Sequence, residues 1–113
     1  MVVKFIQKGD AVDYVNPVAD VAAGAVVVQG ELVGVTRTDI KMGKVGSIGV
    51  YGIFEFPKAA GVGKAIAVGA LTYWDAISQL ATTDAGAGAN KLIGKCVKGT
   101  ADADTLVRVR LSQ

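Results

Sequence analysis

Short apolar runs separated by glycine, aspartate or asparagine dominate the chain, and apolar residues at helical spacing are scarce. Such runs, rich in β-branched residues, are typical of strands bounded by turns. We predict strands near residues 3–7, 25–29, 32–36, 46–56, 71–74, 79–83, 92–97 and 105–111. The pattern therefore predicts one all-β domain over residues 1–113, a small Gly-rich β-barrel or sandwich of about eight short strands, with an N-terminal arm at residues 1–8.

Three segments share one rhythm, in which an apolar residue is followed three positions later by glycine and then by an apolar run. They read VAAGAVVV at 21–28, IKMGKV at 40–45 and IAVGAL at 66–71. Glycine adopts positive φ without steric cost, so each copy predicts a turn into a strand with the first apolar residue beneath the sheet. A weak duplication is also present. Residues 21–34 resemble residues 66–94 around these glycines, although the intervening loops differ in length.

Residues 50–56, VYGIFEF, are apolar on both faces of the predicted strand. Phe54 and Phe56 project to one side, whereas Tyr51 and Ile53 project to the other. Such a strand lies in the middle of a closed structure or has its second face against a neighbour. Near the next apolar run, Trp74 is expected to be buried and to serve as a packing residue.

Composition indicates that part of the surface is covered by another protein. Charged residues are 19% of the chain, against about 25% in an average soluble protein. The 15 glycines and the mean hydropathy of +0.44 strengthen this impression. The net charge of +2 is scattered, which argues against nucleic acid as a partner. Lysines interrupt the opening residues and no apolar run is long enough to cross a bilayer, so we expect synthesis in the cytosol and no membrane partner.

The sequence offers little chemistry for catalysis. It contains no histidine, the commonest general base and metal ligand, and no serine lies in a Gly-x-Ser-x-Gly elbow. The segment 61–65 lacks the first glycine and the hydroxyl residue of a phosphate-binding loop. Cys96 is alone and is expected to be a buried thiol, while Asp102 and Asp104 are expected to form side-chain turns. We therefore predict no catalytic residues, no cofactor and no metal.

Two alternatives to a structural role remain open. Lys41, in the segment DIKMG, lies on a predicted turn of an all-β domain, as does the modified lysine of biotinyl and lipoyl carriers. In those carriers methionine flanks the lysine on both sides, but Ile40 occupies the first place here. The other alternative is a ligand-binding β-barrel, which would require a polar pocket.

Several segments, taken in order, resemble the phage capsid cement (head decoration) protein family. They are FIQKGD at 5–10, VDY at 12–14, ADVAAG at 19–24, LVGV at 32–35, GIFEFPK at 52–58, YWD at 73–75, LIG at 92–94 and VRVRL at 107–111. Each piece is short, but their order spans nearly the whole chain, and the Phe-Glu-Phe-Pro-Lys and Tyr-Trp-Asp pieces are the most specific.

The resemblance implies a structural virion protein on the surface of the capsid, without catalysis. Its expected partners are the major capsid protein and further copies of itself, with a homotrimer on a local three-fold axis ahead of a dimer. The opening arm alternates apolar and polar residues and precedes a glycine turn, so it is suited to add as a strand to a capsid sheet. The candidate capsid-contact residues are Val3, Lys4, Phe5, Ile6, Tyr51 and Ile53.

Overall fold

A computed structural model describes residues 2–112, which form nine strands in two antiparallel sheets. The first sheet has the order β1-β4-β3-β2 and contains β1 (Ala11–Val15), β2 (Val26–Gln29), β3 (Leu32–Thr36) and β4 (Val45–Gly49). The second has the order β5-β9-β8-β6-β7 and contains β5 (Gly52–Pro57), β6 (Leu71–Asp75), β7 (Leu80–Thr82), β8 (Lys91–Lys98) and β9 (Leu106–Leu111). The all-β prediction is confirmed. Over residues 2–112 no helix has the length and apolarity to cross a membrane.

Three parts of the strand prediction are wrong. Residues 3–7 are irregular and exposed, and the edge position beside β4 is taken by β1, a strand that the pattern does not predict. The predicted strand 46–56 is two strands in different sheets. It breaks at residues 50–51 because Gly52 has φ +126°. This φ lies outside the strand region and is favourable only for glycine.

The core lies between the sheets, and most of its buried side chains come from the second sheet. In β9 Val107, Val109 and Leu111 are at most 1% exposed, whereas the alternate residues face solvent. Trp74 is 3% exposed, and its ring centroid lies 6.0 Å from that of Phe56. The expected burial of Trp74 is confirmed.

The glycine rhythm forms the same turn three times. Gly24, Gly43 and Gly69 have φ of +80°, +76° and +85°, close to the value at the third position of a type II turn. Each turn is closed by a backbone hydrogen bond from the residue after glycine to the carbonyl two residues before glycine, at 3.0 to 3.3 Å. Ile40 and Ile66, which open two of the copies, are buried, as predicted.

The duplication is also confirmed. In the first copy Gly24 N–H donates to Thr36 O at 2.9 Å and Thr36 N–H donates to Ala25 O at 2.9 Å. In the second copy Gly69 N–H donates to Cys96 O at 2.8 Å and Cys96 N–H donates to Ala70 O at 3.0 Å. The longer loop of the second copy contains β7 and a 3₁₀ turn at Gly86–Gly88, which explains why the loop lengths differ.

Lys58 brings the two edges of the second sheet together. It follows β5 and forms a parallel bridge with Ala81 of β7. Its side chain is buried, and the ammonium donates hydrogen bonds to three backbone carbonyls, those of Asp104 at 2.7 Å, Ala59 at 2.8 Å and Ala101 at 3.4 Å. The sheet is thereby curled toward a barrel, and its outer face is left to solvent.

Candidate functional site

The residues before β1 form an exposed apolar arm. Val2, Val3, Phe5 and Ile6 are 91%, 94%, 80% and 76% exposed. Among the residues that the structure describes, no backbone hydrogen bond joins residues 2–9 to the rest of the chain. Lys4 lies between these side chains and is exposed as well. The four arm residues among the predicted contacts are therefore accessible, with their backbone groups available to a partner.

The arm leaves the body beside the crossover from the first sheet to the second. Ala11 pairs with Gly49 at the edge of the first sheet, and Val50 N–H donates to Asp10 O at 2.9 Å. Tyr51 follows directly in the chain. The antiparallel register of β1 and β4 thus places the base of the arm next to the other two candidate residues, Tyr51 and Ile53, although the arm is more than forty positions away in sequence.

Tyr51 is held in place by Arg110 of β9. An Arg110 Nη2–H donates to the Tyr51 hydroxyl at 2.6 Å, and the guanidinium carbon lies 5.2 Å from the ring centroid. This geometry combines a hydrogen bond with a cation–π contact and fixes the ring at the surface. Ile53 is paired with Arg110 across the strands and is 64% exposed. Ile53 faces outward because Phe54 and Phe56 of the same strand point toward the core, and Tyr51, just before that strand, is 45% exposed.

Two carboxylates stabilise the turns of the first sheet. Asp20 Oδ1 accepts a hydrogen bond from Met42 N–H at 2.8 Å, and Asp39 Oδ1 accepts one from Ala23 N–H at 2.8 Å. The bond from Met42, assisted by Lys41 at 3.6 Å, lowers the pKa of Asp20 below its ordinary value. Asp20 thus stabilises the turn at Gly43, and Asp39 stabilises the turn at Gly24.

The remaining candidates for chemistry have structural roles. Cys96 is 1% exposed, and its Sγ lies 3.1 Å from Lys98 O. Asp104 accepts a local backbone hydrogen bond from Ala101 at 2.9 Å, as expected of a side-chain turn. The expectation is wrong for Asp102, which accepts its bond from Ala65 at 2.9 Å and so joins two segments distant in sequence. Within residues 2–112 no three acidic, histidine or cysteine side chains come together as a metal site.

A shallow concavity of about 300 Å³ lies between β7 and the 59–66 segment. Its polar lining includes Asp75, whose carboxylate accepts hydrogen bonds from Ile77 and Ser78 N–H groups at 3.0 and 3.3 Å. The bonds from Ser78, the largest cause, and from Ile77 lower the pKa of Asp75. That carboxylate is already used within the turn, and the concavity gives the ligand-binding alternative no specific support.

The family model for phage cement proteins matches residues 6–111 of the chain. The chain belongs to the phage cement protein family. This is a structural, non-catalytic family, and membership implies a structural role on the phage capsid. Searches of curated proteins and of solved structures found no match.

For this cement protein the predicted contacts divide into two groups. Ile6, Tyr51 and Ile53 fall within the matched residues, whereas Val3, Lys4 and Phe5 precede them. Sequence reasoning missed two features of the site. One is Arg110, which fixes Tyr51. The other is the position of Asp10, which brings the arm to Tyr51. Both depend on cross-strand register, for which no local signal in the sequence exists.

Proposed function

We propose that this cement protein binds the outer surface of an assembled phage head and stabilises it. A ligand that binds the assembled shell, and not the separated subunits, shifts the equilibrium toward the shell by mass action. An icosahedral shell presents the same site many times, so a modest affinity at each site is sufficient. Family membership supports the capsid as the partner, and the exposed arm is the observation that carries the mode of binding.

The arm at residues 1–8 adds as a strand to an exposed sheet edge of the major capsid protein. In strand addition, main-chain hydrogen bonds supply affinity and alternate side chains enter pockets. Residues 2–9 offer free backbone groups, and Val3 and Phe5 lie on one side of an extended chain while Lys4 and Ile6 lie on the other. Tyr51 and Ile53, next to the base of the arm, add apolar area to the same contact.

Several copies act together as a homotrimer on a local three-fold axis, with a dimer as the second choice. Closed symmetry lets each occupied position hold several capsid subunits, and linked arms bind with higher effective concentration than separate ones. Sedimentation of the free protein, followed by a reconstruction of decorated heads, would measure the copy number and the axis.

Deletion of residues 1–8 tests the arm directly. The truncated protein is expected to fold, because no backbone hydrogen bond joins residues 2–9 to the body in the structure. It is expected to lose binding to intact heads and to leave them unprotected against heat or chelator. The variant Phe5→Ser/Ile6→Ser tests the apolar side chains of the arm and should weaken binding. Its matched control, Lys4→Gln/Lys8→Gln, should preserve most of the binding.

Undiminished head binding by the truncated protein would remove the arm from the mechanism. Failure of the intact protein to co-sediment with heads would remove the proposed function itself. Tryptophan fluorescence from buried Trp74 reports folding in every variant, so a loss of binding through unfolding is distinguishable from a loss of contact.

A further inference from the structure

The outer face of the second sheet carries a concentration of positive charge, although the residues that form it are scattered along the sequence. Its exposed charged residues come from three neighbouring strands, β5, β9 and β8, and we call them the basic face: Glu55, Lys95, Lys98, Arg108 and Arg110. Four cations against one carboxylate leave an excess of three positive charges, more than the +2 of the entire chain. Exposed apolar residues of the same face include Ile53, Leu71 and Leu106.

The strand register places like charges opposite each other on this face. Lys95 is paired with Arg110, and Lys98 is paired with Arg108. Like charges directly opposite on one face destabilise an antiparallel pair. Arg108 is compensated by Glu55 at 3.7 Å and Arg110 contacts Tyr51, but within residues 2–112 neither lysine has an ion-pair partner. The isolated protein therefore keeps two lysines opposite arginines without a direct ion pair among the described residues, although Glu55 and Asp104 line the same concavity as Lys98.

We propose that the basic face binds an acidic protein surface, namely a carboxylate-bearing segment of the capsid protein. This inference rests on the proposed function and names the chemistry of the partner. Carboxylates placed over Lys95 and Lys98 would reduce the repulsion between each lysine and the arginine opposite it. Charge complementarity would thus favour an acidic partner. The face adjoins the arm's contact region through Tyr51 and Ile53, so both parts belong to one continuous surface.

The face favours a protein over nucleic acid. Glu55 lies among the cations, beside Arg108, and repels a phosphate backbone. Arg110 covers one face of the Tyr51 ring, which reduces the area that could stack on a base. Ile53 and Leu106 contribute apolar area of the kind that protein interfaces bury.

The test is the variant Lys95→Glu/Lys98→Glu, compared with Lys44→Glu/Lys64→Glu. Both variants change the net charge equally, and Lys44 and Lys64 are exposed on turns outside the basic face. In the first variant each like pair becomes an opposite pair, so the Tm of the free protein is expected to rise. Its affinity for intact heads is nevertheless expected to fall roughly tenfold or more, while the control stays within about twofold. A Tm that falls together with affinity, or an affinity equal to the control's, would overturn the proposal.

Salt and a simple probe separate this inference from the proposed function. Wild-type binding to heads should weaken as ionic strength rises from about 0.1 M to about 1 M, over which the Debye length falls from about 10 Å to about 3 Å. Poly-L-glutamate should bind the wild type in a salt-dependent way and fail to bind the Lys95→Glu/Lys98→Glu variant. If heads are not bound but poly-L-glutamate is, the proposed function fails and the basic face stands. Binding of double-stranded DNA as tightly as poly-L-glutamate would refute a protein partner.

Discussion

Replacement of Lys58 by methionine tests how the second sheet is held in its curled form. The lysine is 3% exposed, and its ammonium is the common donor to three carbonyls at the end of β5 and in the turn before β9. Its backbone N–H also donates to Thr105 O at 2.9 Å. Methionine retains the length and the apolar stem of the side chain but removes the charge and all three side-chain hydrogen bonds.

The size of the effect follows from two opposing terms. A hydrogen bond from a charged donor contributes about 1.5–3 kcal/mol, so the two short bonds to Asp104 O and Ala59 O contribute about 3–6 kcal/mol together. The third bond, at 3.4 Å, is too long to add much. Removing an ammonium from water costs several kcal/mol, which offsets a large part of that gain. We expect Lys58→Met to lower the free energy of unfolding by about 1–3 kcal/mol.

Denaturant unfolding, followed by the fluorescence of Trp74, measures this difference. Lys64→Met is the matched control, because Lys64 is exposed six residues away and its replacement should change stability by less than about 0.5 kcal/mol. A Lys58→Met protein as stable as the wild type would show that the ammonium's bonds only balance its desolvation. A more stable variant would show that the buried charge is a net cost to the fold, which is opposite in sign to the expected effect.

Three further predictions concern the turns and the core. Gly69→Val should cost more than about 1 kcal/mol in denaturant unfolding because its φ is positive, whereas Gly9→Val, at an ordinary φ in open space, should be nearly neutral. Trp74→Ala should cost roughly 3–5 kcal/mol, while Ile77→Ala, at 98% exposure, should leave the Tm unchanged. The lowered pKa of Asp20 stabilises the fold above about pH 4, and this contribution is lost as pH falls through the folded-state pKa. The stability difference between wild type and Asp20→Asn should therefore shrink below about pH 4, as measured by unfolding at several pH values.

The parts of the fold that the sequence predicts are those set by local backbone preferences. The strand at Leu32–Thr36 lies at the predicted bounds, and the strand at Leu106–Leu111 differs by one residue. The three glycine turns are also as expected, because positive φ is a property of glycine itself. Strand alternation similarly identifies which side of the last strand is buried.

The errors arise where strand formation depends on a distant partner. Residues 3–7 contain apolar residues suited to a strand, but β4 has one free edge and β1 occupies it. The apolar pattern runs through Gly52 and predicts one long strand, yet the φ of +126° at this glycine ends the first sheet and starts the second. Local pattern reports that a segment is able to form a strand, whereas pairing decides whether it does so.

The same limit applies to the candidate site. The side on which Ile53 lies follows from patterning, but the contact between Arg110 and Tyr51 and the like-charge pair of Lys95 with Arg110 follow only from register. The sequence places Lys58 at the end of a family segment without indicating a role, because two of its three carbonyl partners, Ala101 and Asp104, lie more than forty positions away and only the fold brings them to it.

The distribution of unsatisfied groups distinguishes a docking surface from a poorly optimised fold. Among residues 2–112, no buried side-chain nitrogen or oxygen lacks a hydrogen-bond partner, and the turns are closed by backbone and carboxylate bonds. Exposed apolar residues occur in several turns, among them Val62 and Ile77, and also in the arm and at Ile53, where Lys95 and Lys98 lie opposite arginines. The base of the arm lies beside Tyr51, and Tyr51 contacts Arg110 of the basic face, so these features adjoin one another. A fold that satisfies its interior and brings the arm, Ile53 and the like-charged pairs close together agrees with the proposal that a partner covers this part of the surface.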